Sequence, residues 1–427
     1  MPPQLTEALL TPVGAVLGVW MMGRSDILAA LVAALGLMVA PACALARAAE
    51  PASAAIPSGV SYELIGGLNV DQLNTILTVD APAFFGVPIT AKPARNGVKL
   101  YRITYPSVVP ELDNRPIVAT GLLAVPDTEG SVFPLVSYQH GTVYKKTEVP
   151  SFPQESEETK LMIAQFAGQG YLLIGPDYFG MGASTEPEGY GVMGSQQQAS
   201  FDMLTASLAV LRQLKISNDK LFISGWSEGG FVTMAFLQRL ERAGVKVDAA
   251  ATASAPADIY SLLNGFLNFP RKNDATWANV LYILSAFSFE NYYRIPGLAR
   301  TIIAPEYYDL AKRVYERQDY KKDEIPTNLK ILIQPAYFDP EFFAQSAYGR
   351  IALATQAYRW IIKTPLRNYY GEDDEIVSVG LGRLVMEYQR GIGAGNSRVE
   401  AISTGPTNHR GTFATAVPRW KEWFDTK

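Results

Sequence analysis

The chain has 427 residues, of which 48% are hydrophobic and 18% charged, and its formal net charge is −4. This hydrophobic content supports a large buried core. The mildly acidic balance, with no basic patch interleaved with aromatic residues, argues against a nucleic acid as partner.

The N-terminal residues 1–48 are predicted to be an export signal. Residues 27–46 form an uncharged, Ala- and Leu-rich run that ends in the small-residue pattern a signal peptidase needs. A membrane anchor is the alternative, because an apolar run of this length can span a bilayer. No positive charge precedes the first apolar stretch, so translation starting at Met21 or Met22 is a further hypothesis. No twin-arginine pair is present, which favours the general secretory route and a periplasmic or extracellular location.

Cysteine and histidine usage limits the chemistry. Cys43 is the only cysteine and lies in the predicted signal, so the mature chain would use neither disulfides nor a thiolate. A lipoprotein anchor on Cys43 stays open. Two histidines without a motif that pairs them predict no metal site. The glycine pair at residues 180–182 lacks the third glycine of a dinucleotide-binding turn, so no cofactor is predicted.

After a linker rich in Ala, Pro and Ser, strand-like and helix-like segments alternate, which favours a parallel sheet. The predicted strands are 98–105, 117–125, 133–138, 171–175, 220–224, 247–255, 364–370 and 399–402.

A G-x-S-x-G motif, with Ser227 at its centre, separates the strand at 220–224 from a predicted helix at 228–243. Gly225 and Gly229 let the backbone turn sharply without a Cβ clash, which would expose the Ser227 hydroxyl at the apex. A serine hydroxyl is a poor nucleophile until an imidazole takes its proton. Ser227 is therefore the candidate nucleophile.

The candidate base is His409. In this strand–turn–helix chemistry the chain order is serine, acid, histidine. His140 precedes Ser227, so only His409, in the loop-like stretch 405–411, is in the right place.

The acid is expected between them, among four consecutive carboxylates at 372–375 that follow a predicted strand. We predict that Asp374 orients His409, because apolar Ile376 and Val377 follow it and can anchor the loop. Asp373 is the second choice.

Roughly a hundred residues separate the sixth predicted strand from Thr364, far more than a connecting loop needs. Helix-like stretches at 257–269, 275–289, 305–318 and 341–358 predict a helical cap over the serine, spanning residues 257–363. Most of its aromatic residues are expected in the cap's own core and the rest in an apolar pocket. They include Phe266, Phe269, Tyr282, Phe287, Phe289, Tyr292, Tyr293, Tyr307, Tyr308, Tyr337, Phe338, Phe342 and Phe343.

From about residue 60 onward the chain resembles the α/β-hydrolase superfamily and, within it, the secreted lipase/esterase branch. The resemblance rests on the order and spacing of residues 138–142, 176–184, 225–230 and 371–377, followed by His409. It implies a mostly parallel, eight-stranded sheet with helices on both faces. The core would comprise residues 49–256 and 364–427, with the cap inserted after strand six.

The resemblance also implies an oxyanion hole made by two backbone N–H groups. One is expected on Glu228, the residue after the nucleophile, and the other on Thr142, in the loop after the third strand. Gly141 would let this loop approach the substrate closely, and His140 would fix it by hydrogen bonding.

The expected function is a serine carboxylesterase or lipase of lipid catabolism that cleaves a small-molecule ester or acylglycerol through an acyl-enzyme. No stable membrane insertion of the mature chain is expected, and the acyl chain, the alcohol and the oligomeric state stay open. The first alternative is a serine peptidase on the same fold, aminopeptidase-like or prolyl-oligopeptidase-like. The turn at 225–230 is similar to the nucleophile turn of prolyl-oligopeptidase-type enzymes. A non-catalytic binding protein that retains the fold is the second.

Overall fold

A computed structural model describes residues 56–395 and 398–427. The predicted export signal, the alternative start codons and Cys43 lie outside the described residues. Within the ranges described, no helix combines the length and the apolar character needed to cross a membrane.

A nine-stranded mixed sheet forms the centre of the fold. The strands are β1 (Ser61–Leu68), β2 (Gly97–Val109), β3 (Arg115–Asp127), β4 (Val132–Gln139), β5 (Leu172–Pro176), β6 (Ser217–Trp226), β7 (Ala249–Ala253), β8 (Leu366–Tyr370) and β9 (Val399–Ser403). Their spatial order is β1-β2-β3-β5-β4-β6-β7-β8-β9. The strands from β5 to β9 along this order pair in parallel, whereas β1, β2 and β3 pair antiparallel with their neighbours.

The expectation of eight strands is wrong because the sheet has an additional edge strand, β1. It pairs antiparallel with β2, with a register shift between Leu64 and Gly66. None of its side chains is fully buried, and most are exposed. An edge strand that buries neither face carries no apolar alternation, so its sequence lacks the pattern by which strands are predicted.

Helices cover both faces of the sheet. They are α1 (Val70–Thr75), α2 (Ala81–Phe85), α3 (Glu157–Gln165), α4 (Met193–Gln213), α5 (Glu228–Arg242), α6 (Ile259–Asn268), α7 (Asn279–Tyr292), α8 (Leu298–Ile302), α9 (Tyr308–Tyr315), α10 (Leu329–Leu332), α11 (Pro340–Gln345), α12 (Ala347–Ala354), α13 (Val379–Gly391) and α14 (His409–Phe424). Successive strand residues such as Phe222 and Ile223 belong to two different buried clusters. One cluster packs against α1, α2, α3 and α14, and the other against α4 to α7 and α13.

Residues 257–363, here called the helical insertion, contain α6 to α12 and lie between β7 and β8. The predicted helix at 341–358 is divided into α11 and α12. Ser346 causes the break, because its extended backbone and its side chain, which accepts a hydrogen bond from the Gly349 N–H, begin a new helix.

Candidate active site

The turn between β6 and α5 holds Ser227 in a strained backbone conformation, with φ 57° and ψ −122°. The flanking glycines make this turn possible. A Cβ on Gly225 would lie 2.2 Å from the Gly229 carbonyl oxygen, and one on Gly229 would lie 1.9 Å from that of Gln139. Both positions therefore exclude any larger residue. The Ser227 hydroxyl is left above the N-terminus of α5, at the carboxyl edge of the parallel strands.

The imidazole of His409 lies between this hydroxyl and a buried carboxylate. Its Nε2 is 2.8 Å from Ser227 Oγ. Its Nδ1 is 3.0 Å and 3.1 Å from the two carboxylate oxygens of Asp374. His409, predicted in a loop, is the first residue of α14 and donates its backbone N–H to Glu375 Oε2 over 2.9 Å. The structure thus brings together the three side chains selected from the sequence.

Asp374 is buried and accepts several hydrogen bonds besides that of His409. The backbone N–H groups of Ile376 and Val377 each donate to Oδ1 over 2.8 Å, and the Ser254 hydroxyl donates to Oδ2 over 2.6 Å. Burial alone raises the pKa of Asp374, but the charge and hydrogen bond of His409, with the bonds from Ser254 and Val377, lower it below its usual value. The carboxylate therefore stays ionised. Asp373, the second choice, is exposed.

The helical insertion contacts the loop that carries Asp374. Arg271 donates from Nη1 to the Asp374 backbone carbonyl over 2.9 Å and is itself paired with Asp274 at 2.7 Å. The Ala275 N–H donates to the Glu375 carbonyl over 3.1 Å. Sequence patterns do not predict these contacts, because they join residues far apart along the chain.

The two N–H groups expected to form an oxyanion hole are those of Glu228 and Thr142. Within the part of the chain that the structure describes, neither has a protein hydrogen-bond acceptor. Thr142 and Ser227 line the same cavity. Two free donors beside a nucleophile are the feature that oxyanion stabilisation requires.

The loop before Thr142 is held by buried polar groups. The His140 ring lies 2.7 Å from the Gly141 carbonyl and 3.2 Å from the Asp177 carbonyl, and it stacks on Tyr178. Burial lowers the pKa of His140 to about 4, so the ring is neutral. The Gly141 N–H donates to both carboxyl oxygens of Glu158, at 3.0 Å and 3.2 Å.

A cavity of about 430 Å³ opens beside Ser227 and His409. The helical insertion contributes Thr276, Trp277, Val280, Tyr320, Ile325 and Thr327 to its wall. None of the insertion aromatics named from the sequence lines this cavity, whereas Trp277 and Tyr320 do. Aromatic residues serve cores and pockets equally well, so sequence carries no signal that separates the two uses.

No group of three or more His, Cys, Asp or Glu side chains among the described residues is arranged to hold a metal ion.

No protein-family model matches the chain, and no curated protein matches its sequence. Solved structures do match. A Legionella pneumophila protein assigned to the hydrolases superposes with a TM-score of 0.74 at 22% identity, over 86% of this chain and 97% of that one. The rice cell-wall-degrading esterase LipA of Xanthomonas oryzae, in a ligand-bound form, superposes with a TM-score of 0.74 at 19% identity, over 86% and 98%. Candida antarctica lipase A gives 0.55 at 15% identity, over 81% and 77%.

The chain has an α/β-hydrolase-like fold. The superpositions confirm the α/β-hydrolase-like fold predicted from the sequence, whereas the predicted number of eight strands is wrong. Sequence identities this low show only that the fold is shared, so the activity has to be argued from the geometry of the site.

Proposed function

We propose that the protein is an exported serine hydrolase that cleaves carboxylic esters. The observation that carries this proposal is the chain of contacts from Ser227 through His409 to Asp374, beside a cavity that is open to a ligand. A hydroxyl, an imidazole and a buried carboxylate in this order form the proton relay of acyl transfer.

In the proposed mechanism, Ser227 Oγ attacks the ester carbonyl while His409 Nε2 takes its proton. Asp374 holds the imidazole in the correct tautomer and stabilises the imidazolium. The N–H groups of Glu228 and Thr142 stabilise the oxyanion, and one such donor contributes about 3–4 kcal/mol to lowering the barrier. The C–O bond to the alcohol then breaks as His409 returns the proton to it. Water repeats the sequence on the acyl-enzyme and releases the acid.

The helical insertion is proposed to act as a cap over a core formed by residues 49–256 and 364–427. Its contacts with the Asp374 loop and its share of the cavity wall support this role. A cap excludes water and selects substrates by shape. The wall combines apolar groups with Thr276, Thr327, Glu375 and Arg410, which suits a small ester or an acylglycerol.

Residues 1–48 are proposed to direct export by the general secretory route to the periplasm or the medium, so the substrate would be met outside the cytoplasm. Two of the similar structures are named as an esterase and a lipase, which agrees with ester hydrolysis. These activities are properties of those proteins.

The test is a panel of p-nitrophenyl esters from acetate to palmitate, assayed beside a panel of short peptides that includes proline peptides. We expect ester hydrolysis that is abolished in Ser227→Ala, with the preferred chain length reporting the depth of the cavity. Peptide cleavage that exceeds ester cleavage would favour a peptidase on this fold. An inactive, folded protein would contradict both.

A further inference from the structure

An indole ring of the helical insertion lies beside the imidazole of the proposed relay. The ring of Trp277 is 6.1 Å from that of His409, measured between centroids, and the two planes are tilted by 52°. Trp277 lines the cavity that Ser227 and His409 share, and it is 39% exposed. A large apolar side chain that stays this exposed contributes little to the core behind it, so its open face is free to contact a ligand.

Backbone contacts fix Trp277 relative to the relay. It lies in a single turn of 3₁₀ helix that ends at the fully buried Ala278. Before this turn, the Ala275 N–H donates to the Glu375 carbonyl over 3.1 Å, and the Ala275 carbonyl accepts from the Ala278 N–H over 3.1 Å. The side chain of Glu375 in turn accepts from the backbone N–H of His409 over 2.9 Å. The indole and the imidazole are therefore both held through Glu375.

The other tryptophan of the cavity wall, Trp226, already packs against rings of the core. It stacks on Phe413 with 4.9 Å between ring centroids and meets Phe85 edge-on at 6.2 Å. It is only 9% exposed. Trp226 therefore serves mainly the core beneath the site, whereas Trp277 presents its ring to the cavity.

The composition of the wall favours an aromatic group as the occupant. The aromatic side chains of the wall are Tyr144, Trp226, Trp277 and Tyr320, and the aliphatic ones are Val280 and Ile325. Aromatic rings pair favourably with other rings in offset or edge-to-face arrangements. At about 430 Å³ the cavity is also near the small end of ligand sites, so it suits one ring and a short acyl group rather than a long alkyl chain.

The chemistry of acyl transfer decides which part of the ester meets Trp277. The alcohol oxygen receives its proton from His409 Nε2, so it has to come within about 3 Å of that nitrogen as the C–O bond breaks. The carbonyl oxygen points instead to the proposed donors on Glu228 and Thr142, and the carbonyl carbon is bonded to Ser227 Oγ. The first atoms of the alcohol are therefore next to the imidazole, on which Trp277 borders.

We propose that Trp277 is a specificity-determining residue that binds the alcohol part of the ester, and that the preferred substrates are small esters of aromatic alcohols. The ring of the alcohol packs against the indole while His409 protonates the leaving oxygen. The inference rests on the proposed ester hydrolysis and deepens it by naming the class of alcohol. Trp277 then acts in acylation alone, because the alcohol has left before water attacks the acyl-enzyme.

The experiment compares kcat/KM for three acetates that form the same acyl-enzyme: benzyl, cyclohexylmethyl and ethyl acetate. The first two alcohols match in size and differ in aromaticity, so the ratio of their kcat/KM values isolates the contact between rings. Each ratio is divided by that of the same two esters in alkaline hydrolysis, which removes the intrinsic difference between the leaving groups. The corrected ratio in the wild-type protein should favour benzyl acetate by about two- to tenfold.

Three variants assign this preference to the indole. Trp277→Leu keeps an apolar side chain without a ring, so the corrected ratio should fall to about one. Trp277→Phe keeps a ring and should retain most of the preference. Phe269→Ala is the control, because Phe269 is an aromatic residue of the same insertion that is 65% exposed and lines a different cavity. It should leave the corrected ratio unchanged.

A second series of substrates tests the acyl side. Ethyl esters from acetate to hexanoate share their alcohol, so their relative kcat/KM values report only the acyl group. This series should have the same order and spacing in Trp277→Leu as in the wild-type protein. The rate on ethyl acetate should change little, which also verifies that the variant is folded and that its relay is intact.

A wild-type corrected ratio of one or below, an equal ratio in wild type and Trp277→Leu, or a Trp277→Leu variant that changes the acyl series instead would each overturn the inference. All three results leave ester hydrolysis standing. A folded wild-type protein that cleaves none of these esters would overturn both the inference and the proposed function.

Discussion

The hydroxyl of Ser254 donates a hydrogen bond to Asp374 Oδ2 over 2.6 Å. Ser254 follows β7 directly, and its positive φ of 48° turns the side chain toward the acid. The bond fixes the carboxylate in the orientation in which its oxygens meet His409 Nδ1. Ser254 thus supports the proton relay without contacting the substrate cavity.

Removing this hydroxyl is predicted to slow catalysis. A hydrogen bond to a charged group contributes about 1.5–3 kcal/mol, so Ser254→Gly should lower kcat by about ten- to a hundredfold with little change in KM. Glycine is the informative replacement, because it tolerates the positive φ and leaves the fold intact. Steady-state kinetics measure the effect, and an unchanged kcat would show that the bond is not needed.

Replacing the acid itself should lower kcat far more than removing the Ser254 hydroxyl does. Asp374→Asn removes the charge that stabilises the imidazolium and favours the wrong tautomer, so kcat should fall by roughly three orders of magnitude or more. Asp373→Asn is the matched control, because its side chain is exposed one residue away. Equal losses of kcat in the two variants, or a larger loss in Asp373→Asn, would show that Asp374 is not the acid of the relay.

The site residues Ser227 and His409 can be selected from the sequence for simple physical reasons. A sharp strand-to-helix turn requires small neighbours, and the chain offers only one histidine after that turn. Asp374 is harder to select, because nothing local separates four adjacent carboxylates except the apolar residues that follow. The structure shows the difference, since Asp374 is buried and Asp373 is exposed.

Other features of the structure have no local sequence pattern from which they could be predicted. Strand β1 buries neither face, so it lacks periodicity. Ser254 and Glu158 act across large sequence separations, which a pattern in one segment does not encode. Glu228 is buried and contacts Gln196 of α4, and that contact exists only in the folded chain.

Two helical glycines allow a tightly packed position beside the nucleophile to be compared with an open position in the helical insertion. A Cβ on Gly229 would lie 1.9 Å from the Gln139 carbonyl oxygen, so Gly229→Ala should severely destabilise the fold and abolish activity. Gly265, in α6, has no atom within 4 Å of an added Cβ. Gly265→Ala should therefore stabilise the protein by about 0.5–1 kcal/mol. Urea denaturation measures both, and similar effects at the two sites would contradict the geometry.

Glu158 should make stability depend on pH. Burial raises the pKa of its carboxyl from 4.5 to about 8, so the folded protein keeps a proton that the unfolded chain releases. The free energy of unfolding should therefore fall as the pH rises from about 4.5 to about 8. Glu158→Gln stays neutral and can still accept from Gly141, so it should reduce this slope.

The control for Glu158 is its neighbour Glu157, which is partly exposed and paired with Lys160 at 2.7 Å. Glu157→Gln should keep the wild-type slope, because a surface ion pair contributes little to stability. Denaturant titrations at pH 5, 6.5 and 8 compare the three proteins. Identical slopes in all of them would show that Glu158 does not titrate as its burial predicts.

The most direct test of the nucleophile is covalent labelling with a fluorophosphonate, followed by mass spectrometry of the modified peptide. The wild-type protein should carry one label, on Ser227, and Ser227→Ala should carry none. Ser224→Ala is the matched control, because this buried serine on β6, three residues before Ser227, has no side-chain hydrogen-bond partner among the described residues, and the variant should label and cleave esters normally. A label on another residue, or undiminished labelling and ester cleavage in Ser227→Ala, would contradict the proposed function.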